Sequence, residues 1–177
     1  MPVSVLNEGV VVPVTHLNPV SGLPITFGTS PAVVVFVRDL HGTTARMALA
    51  ALSTIWSELD AHGVQLAVVT HTDLTYARDY VPRHHVLFPL IVDETGGLRE
   101  QFGLGTDGAL TGTLLSLRPG NVRAWFDGLG LSRDLALPNM ELGGEFAIDR
   151  NGRVVYARAF SGLLDHPDLE RLKASVL

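Results

Sequence analysis

Apolar residues run without a break from Ala32 to Val37, and β-branched valines dominate the run. A strand with one wet face alternates, so a continuous run predicts a strand buried on both faces. After the polar turn Arg38-Asp39-Leu40-His41-Gly42 the period changes. Met47, Leu49, Leu52, Ile55, Trp56 and Leu59 recur mostly three and four residues apart, which predicts an amphipathic helix from Thr43 or Thr44 to about Ala61. Either threonine supplies an N-terminal cap, and His62-Gly63 supplies the stop. Val64 to Thr70 reads as a second buried strand. Thr72 or Asp73 caps a short helix through about Tyr80, which Pro82 stops. Phe88 to Asp93 reads as a third strand and Gly96 to Gly103 as a short helix.

The flanks are more broken. In the first thirty residues Val10-Val11-Val12 and Ile25-Thr26-Phe27 read as short strands of one hairpin, separated by Pro13, Pro19, Gly22 and Pro24. Residues 104 to 142 carry repeated Gly and Pro and read as an insertion that lies over the domain as a lid. Its apolar cluster is Trp125, Phe126, Leu129, Leu131 and Leu135. Glu145 to Asp149 and Arg153 to Arg158 flank Arg150-Asn151-Gly152, and Asn-Gly between apolar runs signals a hairpin. Pro167 to Val176 closes the chain as a helix with Leu169 and Leu172 inward. Strand–helix–strand crossovers give parallel pairing and the late hairpin adds antiparallel strands. The class is α/β, one domain over 1–177, with a mixed central sheet and helices on both faces.

Composition narrows the chemistry. The 177 residues are 46% hydrophobic and 18% charged, as in a globular domain. A net charge of −5 argues against nucleic acid as a partner. The longest apolar run, Ala32 to Val37, is far short of a membrane span, and Met1 to Val5 has no basic-then-apolar leader. The expected location is therefore cytoplasmic, with no membrane contact. There is no cysteine, which removes disulfides, thiolate metal sites and cysteine nucleophiles. No Gly-x-Ser-x-Gly elbow is present, and Gly103-Leu104-Gly105 and Gly128-Leu129-Gly130 are too short for a dinucleotide fingerprint. His41, His71, Asp73 and Asp93 converge on strand ends but lack a short ligand spacing, so neither metal nor cofactor is expected.

The strand Val33 to Phe36, the turn and long helix, Gly63 to Val69, Phe88 to Asp93 and Gly144 to Tyr156 together resemble the thioredoxin fold of peroxiredoxins. The closest resemblance is to the peroxiredoxin-like branch of the AhpC/TSA antioxidant proteins. That branch carries Arg in the turn, a Cys-x-x-Cys-Arg step, Gly-Gly before the late hairpin and Asp-His-Pro before the last helix. Arg38, Arg46, Gly143-Gly144 and Asp165-His166-Pro167 stand at matching places over roughly residues 30 to 175. The resemblance implies a three-layer thioredoxin-like fold and, by analogy, a homodimer. It also implies a departure: Gly42 and Ala45 occupy the two cysteine positions. Peroxide reduction needs a thiolate that becomes a sulfenic acid, and thiol–disulfide exchange needs a sulfur pair. Neither residue supplies one, and a threonine hydroxyl has no sulfenic state.

The vacated corner keeps other physics. Arg38, Asp39, His41, Gly42, Thr43, Thr44, Arg46, Gly143 and Gly144 form the candidate pocket. A helix start offers N–H groups and a positive dipole end, which with Arg38 and Arg46 suits a small anionic ligand, or a protein partner. A purely structural arrangement uses the same residues: a threonine caps the helix, Arg46 pairs with Asp39 or another acid and Gly42 makes the turn. Two further readings stand beside these. One is an enzyme without thiol chemistry, with His41 as acid or base and Arg46 as anion clamp. The other is an assembly subunit acting through residues 104 to 142.

Overall fold

Ala32 to Val37 forms β3 (Ala32–Val37), and every one of its residues is buried. It is the middle strand of a five-stranded sheet. The computed structural model describes residues 5–104, 143–160 and 165–177. β4 (Gln65–Thr70) runs parallel to β3, and β5 (Leu90–Val92) runs parallel to β4. On the other side β6 (Gly144–Ile148) lies antiparallel to β3 and β7 (Val154–Ala159) antiparallel to β6, giving the order β5-β4-β3-β6-β7. This is the mixed sheet that the strand order predicts.

Alternation along β3 divides the core. Val33, Val35 and Val37 point to one face, where they meet α1 (Thr43–Ala61), α2 (Leu74–Arg83) and Leu172 of α4 (Leu169–Val176). Ala32, Val34 and Phe36 point to the other. There they meet Val12, Leu17, Ile25 and Phe27 of the N-terminal segment and Phe102, which follows α3 (Gly97–Gln101). Phe36, Phe102 and Phe146 form an aromatic trio on this face, with centroids 5.0–5.8 Å apart and rings tilted or edge-on, the geometry that the ring quadrupole favours.

The long helix follows its expected bounds, but two of its details differ. Ala45 and Ala48 occupy the sheet-facing positions with Leu49, Leu52, Ile55 and Leu59, while Met47 turns outward and is 64% exposed. Neither threonine caps the helix. The residue with extended backbone is Gly42 (φ −77°, ψ 146°), and it has no side chain to accept a hydrogen bond. Thr43 and Thr44 are already inside the first turn. The C-terminus matches expectation: Gly63 sits at φ 69°, with Val64 N–H donating to Leu59 O at 2.9 Å and Gly63 N–H to Asp60 O at 2.9 Å.

α2 outruns its expected stop. Asp73 caps it by accepting from Tyr76 N–H at 2.8 Å, but Pro82 lies within the last turn and the helix ends only after Arg83. One missing N–H near the end of a helix is tolerated when the chain is about to leave it. The exit runs through His85 at φ 49°, the left-handed position of the same C-terminal motif, closed by Val86 N–H to Val81 O at 3.1 Å. A non-glycine residue is strained there. His85→Gly is therefore expected to raise stability by about 0.5–1 kcal/mol after its own entropic loss, measured by urea unfolding. An unchanged or lower midpoint would show that the His85 ring makes a compensating contact.

The N-terminal hairpin exists with different strands. β1 (His16–Leu17) pairs with β2 (Ile25–Thr26). Val11 instead bridges Arg153, with Val12 N–H donating to Gly152 O and Val154 N–H to Val10 O, both at 2.9 Å. The β6–β7 connection is the expected Arg150-Asn151-Gly152 loop, with Gly152 at positive φ (76°). Asp149 organises it by accepting from Asn151 N–H at 2.8 Å and Arg153 N–H at 2.9 Å. Those backbone bonds, the one from Arg153 first, hold its carboxyl below the usual aspartate range. Asp168 caps α4 by accepting from Arg171 N–H at 3.1 Å. Leu172 is fully buried and Leu169 partly so. The predicted insertion lies outside the described residues apart from Leu104, and so does its aromatic cluster.

Candidate functional site

The parallel strands end, at their carboxyl edge, beside the start of α1, where open α/β sheets place ligands. A shallow cleft lies there. Val37, Ala45, Ala48 and Phe160 give it an apolar floor, and Arg38, Thr44, Asp165 and Gly143 give it a polar wall. Of the candidate pocket residues, the structure brings Arg38, Thr44 and Gly143 to the cleft, together with Ala45.

Asp39, His41, Gly42, Thr43, Arg46 and Gly144 do not line it. Asp39 accepts from His41 N–H at 2.9 Å and from the Thr72 hydroxyl at 3.4 Å. His41 is exposed and stacks on Tyr76 with centroids 3.7 Å apart. Tyr76, Tyr80 and His84 continue that stack along α2. Burial raises the Tyr80 phenol, and the nearby Arg46 charge opposes that rise. Arg46 lies exposed in the first turn of α1 and makes no ion pair among the described residues, so the expected pairing with Asp39 is absent. Asp73 and Asp93 are engaged as helix caps, Asp93 accepting from Leu98 and Arg99 N–H at 3.2 and 2.9 Å. Among the described residues no group of three acidic or histidine side chains is placed to hold a metal.

Gly143 and Gly144 are glycines for reasons of space. A Cβ on Gly143 would stand 2.3 Å from Phe36 O and 2.6 Å from the Phe160 ring, and one on Gly144 would stand 2.7 Å from Leu104. The chain entering β6 thus passes against the end of β3 with no room for a side chain. Gly42 is the opposite case: its φ is ordinary, and a Cβ there would meet nothing closer than 3.4 Å.

Behind the cleft wall lies a charged network that no sequence motif announces. Glu145, fully buried on β6, accepts from Arg158 Nε at 2.6 Å, Tyr156 Oη at 2.8 Å and Asp168 N–H at 2.8 Å. Arg158 also donates to Asp165 at 2.9 Å and to His166 O at 2.7 Å, and its guanidinium lies 5.2 Å from the Phe160 centroid. Burial works against the Arg158 charge, but the bonds to Glu145 and Asp165 outweigh it and raise the pKa further. The Tyr156 phenol is raised by burial and by its bond to Glu145. One buried carboxylate therefore fixes β7, the cleft wall and the start of α4 together. An acid inside the apolar run Gly144-Glu145-Phe146-Ala147-Ile148 is the one sequence signal that could have pointed to it.

The family model described as AhpC/TSA antioxidant enzyme matches residues 51–159, more than half of the 177-residue chain. The chain belongs to the AhpC/TSA antioxidant enzyme family. The matched span begins inside α1, so the AhpC/TSA match leaves out Arg38 to Arg46. The placing of Gly42 and Ala45 at cysteine positions rests on the residues of the turn themselves. Solved structures of the same fold include peroxidoxin BcpB from Mycobacterium tuberculosis, at 15% identity and TM-score 0.68, covering 97% of this chain and 96% of that one. A peroxiredoxin-like protein from Aquifex aeolicus matches at 15% identity and TM-score 0.69, covering 98% and 87%. A thiol peroxidase from Chromobacterium violaceum matches at 12% identity and TM-score 0.63, covering 96% and 88%. At these identities the likeness establishes the thioredoxin-like fold. No curated protein matches the chain. No helix among the described residues is long and apolar enough to cross a membrane.

Proposed function

We propose that this cysteine-free AhpC/TSA protein acts as a binding protein, and that its vacated reaction corner takes the carboxylate or phosphate head of a small anionic ligand. The observation that carries the reading is the start of α1. Its N-cap, Gly42, has no side chain, and no acidic residue stands in its first turn. The leading N–H groups of a 19-residue helix therefore face outward without a side-chain acceptor from the cap. Arg38 and Thr44 stand in the cleft beside them. Such an end attracts negative charge. The cleft is shallow, so it holds a head group and leaves the rest of the ligand outside. Thiol redox chemistry is excluded because the chain has no sulfur nucleophile.

Thermal melting against a panel of carboxylates, inorganic phosphate and sulfate tests this. A ligand at about 100 times its dissociation constant adds about 2.7 kcal/mol, or roughly 5–10 °C for a domain of this size. The shift is expected in the native protein and in His41→Ala, and is expected to disappear in Arg38→Ala. A panel with no shift in the native protein would refute the reading. A shift that disappears in His41→Ala would move the site to the His41–Tyr76 stack and favour chemistry based on His41.

A further inference from the structure

Asn151 is the only one of the chain's five asparagines that precedes a glycine. It lies exposed in the β6–β7 loop, while Gly152 is buried. A glycine has no Cβ to shield its backbone nitrogen, so that nitrogen can reach the side-chain carbonyl of the residue before it. The pair also sits on a seam. Gly152 O accepts from Val12 N–H at 2.9 Å, Val154 N–H donates to Val10 O at 2.9 Å, and Gly9 N–H donates to Val154 O at 2.7 Å. Arg153 Nη1 adds a bond to Gly9 O at 3.0 Å. The loop thereby fastens the N-terminal segment, whose Val12 belongs to the core on the Phe36 face.

We propose that Asn151 is a site of self-modification: it deamidates, and its isoaspartyl product loosens the seam that holds Gly9 to Val12. The Gly152 nitrogen loses its proton and attacks Asn151 Cγ, the bond from Cγ to Nδ2 breaks, and that nitrogen leaves as ammonia. Water then opens the cyclic imide. Attack on Cγ gives aspartate. Attack on the Asn151 backbone carbonyl gives isoaspartate, whose main chain runs through Cβ and Cγ. Water enters, ammonia leaves, and nothing is oxidised or reduced. In the closed loop the attacking nitrogen is held, because Gly152 N–H donates to Asp149 O at 3.0 Å. The reaction therefore proceeds from molecules in which the loop has opened locally. An isoaspartyl main chain is one atom longer, and this short loop has no slack for it, so the Gly152 carbonyl moves out of line with Val12 N–H. The new carboxylate forms beside Asp149, whose Oδ2 lies 3.4 Å from Asn151 Nδ2. It also offers Arg153 an acceptor in competition with Gly9 O.

The test ages the full chain in warm, mildly alkaline buffer and maps it by peptide mass and isoaspartyl content, with Asn7 and Asn18 as internal controls. Asn151 is expected to convert while Asn7 and Asn18 stay intact. Loss of one net hydrogen bond shifts a local opening equilibrium about fivefold. Hydrogen exchange at the Gly9 and Val12 N–H groups is therefore expected to be about fivefold faster in the aged protein. It is expected to stay unchanged in Asn151→Gln aged alongside, because the longer side chain forms the imide far more slowly. An Asn151 that survives in the folded protein, yet converts in a urea-unfolded sample, would overturn the proposal, since the loop would then protect the residue. Conversion to isoaspartate with unchanged exchange at Gly9 and Val12 would overturn the loosening of the seam.

Discussion

Replacing Glu145 with alanine is expected to destabilise the protein by about 3–5 kcal/mol, the usual consequence of removing one partner of a buried ion pair. The size follows from what the carboxylate holds. Glu145 has no exposed surface, and its two oxygens accept three hydrogen bonds: from Arg158, Tyr156 and the backbone of Asp168. In Glu145→Ala the Arg158 guanidinium keeps only Asp165 and the His166 carbonyl, the Tyr156 hydroxyl loses its acceptor, and α4 loses the bond that seats its first turn. Against a typical total of about 5–15 kcal/mol the loss is large, and for a domain of this size it lowers the melting temperature by roughly 10 °C or more. Glu145→Gln keeps an oxygen acceptor and loses only the charge, so it is expected to fall between the two. Equilibrium urea unfolding of the three proteins measures the series. A loss below about 1 kcal/mol for Glu145→Ala would mean that Asp165 alone satisfies Arg158, and the network would then be ornamental to the fold.

This network also marks where sequence reasoning stops. The run Ala32 to Val37, the Thr43–Ala61 helix with Gly63 and the late hairpin were legible because each announces itself locally: a two-sided strand by unbroken apolarity, a helix by its period, a hairpin by Asn-Gly. Pairings between distant segments were not. Val10 to Val12 looks like a partner for Ile25 to Phe27, yet it meets the turn at Gly152 and Arg153. Short β-branched runs say that a strand forms and say nothing of its register. The Glu145–Arg158 pair failed for a sharper reason. Ile148 faces Val154, but an irregularity follows and Ala147 faces Tyr156, which brings Glu145 opposite Arg158. Counting back from the loop without that bulge sets Glu145 against Ala157, and the ion pair disappears from view. At the cleft, Arg38, Thr44 and Gly143 were reachable because a strand end and a helix start are fixed by the βα unit. Phe160 and Asp165 come from beyond β7, and no local pattern ties them to that corner.

Placing a sulfur at Gly42 is the strongest test of what the start of α1 can do. Gly42→Cys is expected to fold without strain, since Gly42 has φ −77° and ψ 146° and a Cβ there meets nothing closer than Asp39 O at 3.4 Å. Glycine is among the better N-cap residues, so exchange for a weaker capping side chain costs up to about 1 kcal/mol, which a folded domain tolerates. The new thiol would sit at the positive end of α1, with Arg38 and Arg46 close in sequence on either side and no acid in the first turn. Each of these favours the thiolate, and helix N-termini lower cysteine pKa values from about 8.5 into the range of about 3.5–7.5. A pKa near 7 makes about half the thiol ionised at neutral pH, against a few per cent for an unperturbed one. Titration of thiolate absorbance measures this directly, with Ser57→Cys on the exposed side of the same helix as the control expected near about 8.5. Because lower basicity also weakens the nucleophile, alkylation at neutral pH is expected to gain only about threefold over the control. Exposure to peroxide should then give a sulfenic acid at this position. Equal pKa values in the two variants would mean that the helix field and the arginines do not act at Gly42. The absence of a thiolate-stabilising environment would also remove the electrostatic basis for anion binding in the neighbouring cleft, since the same N–H groups and the same Arg38 are asked to do both.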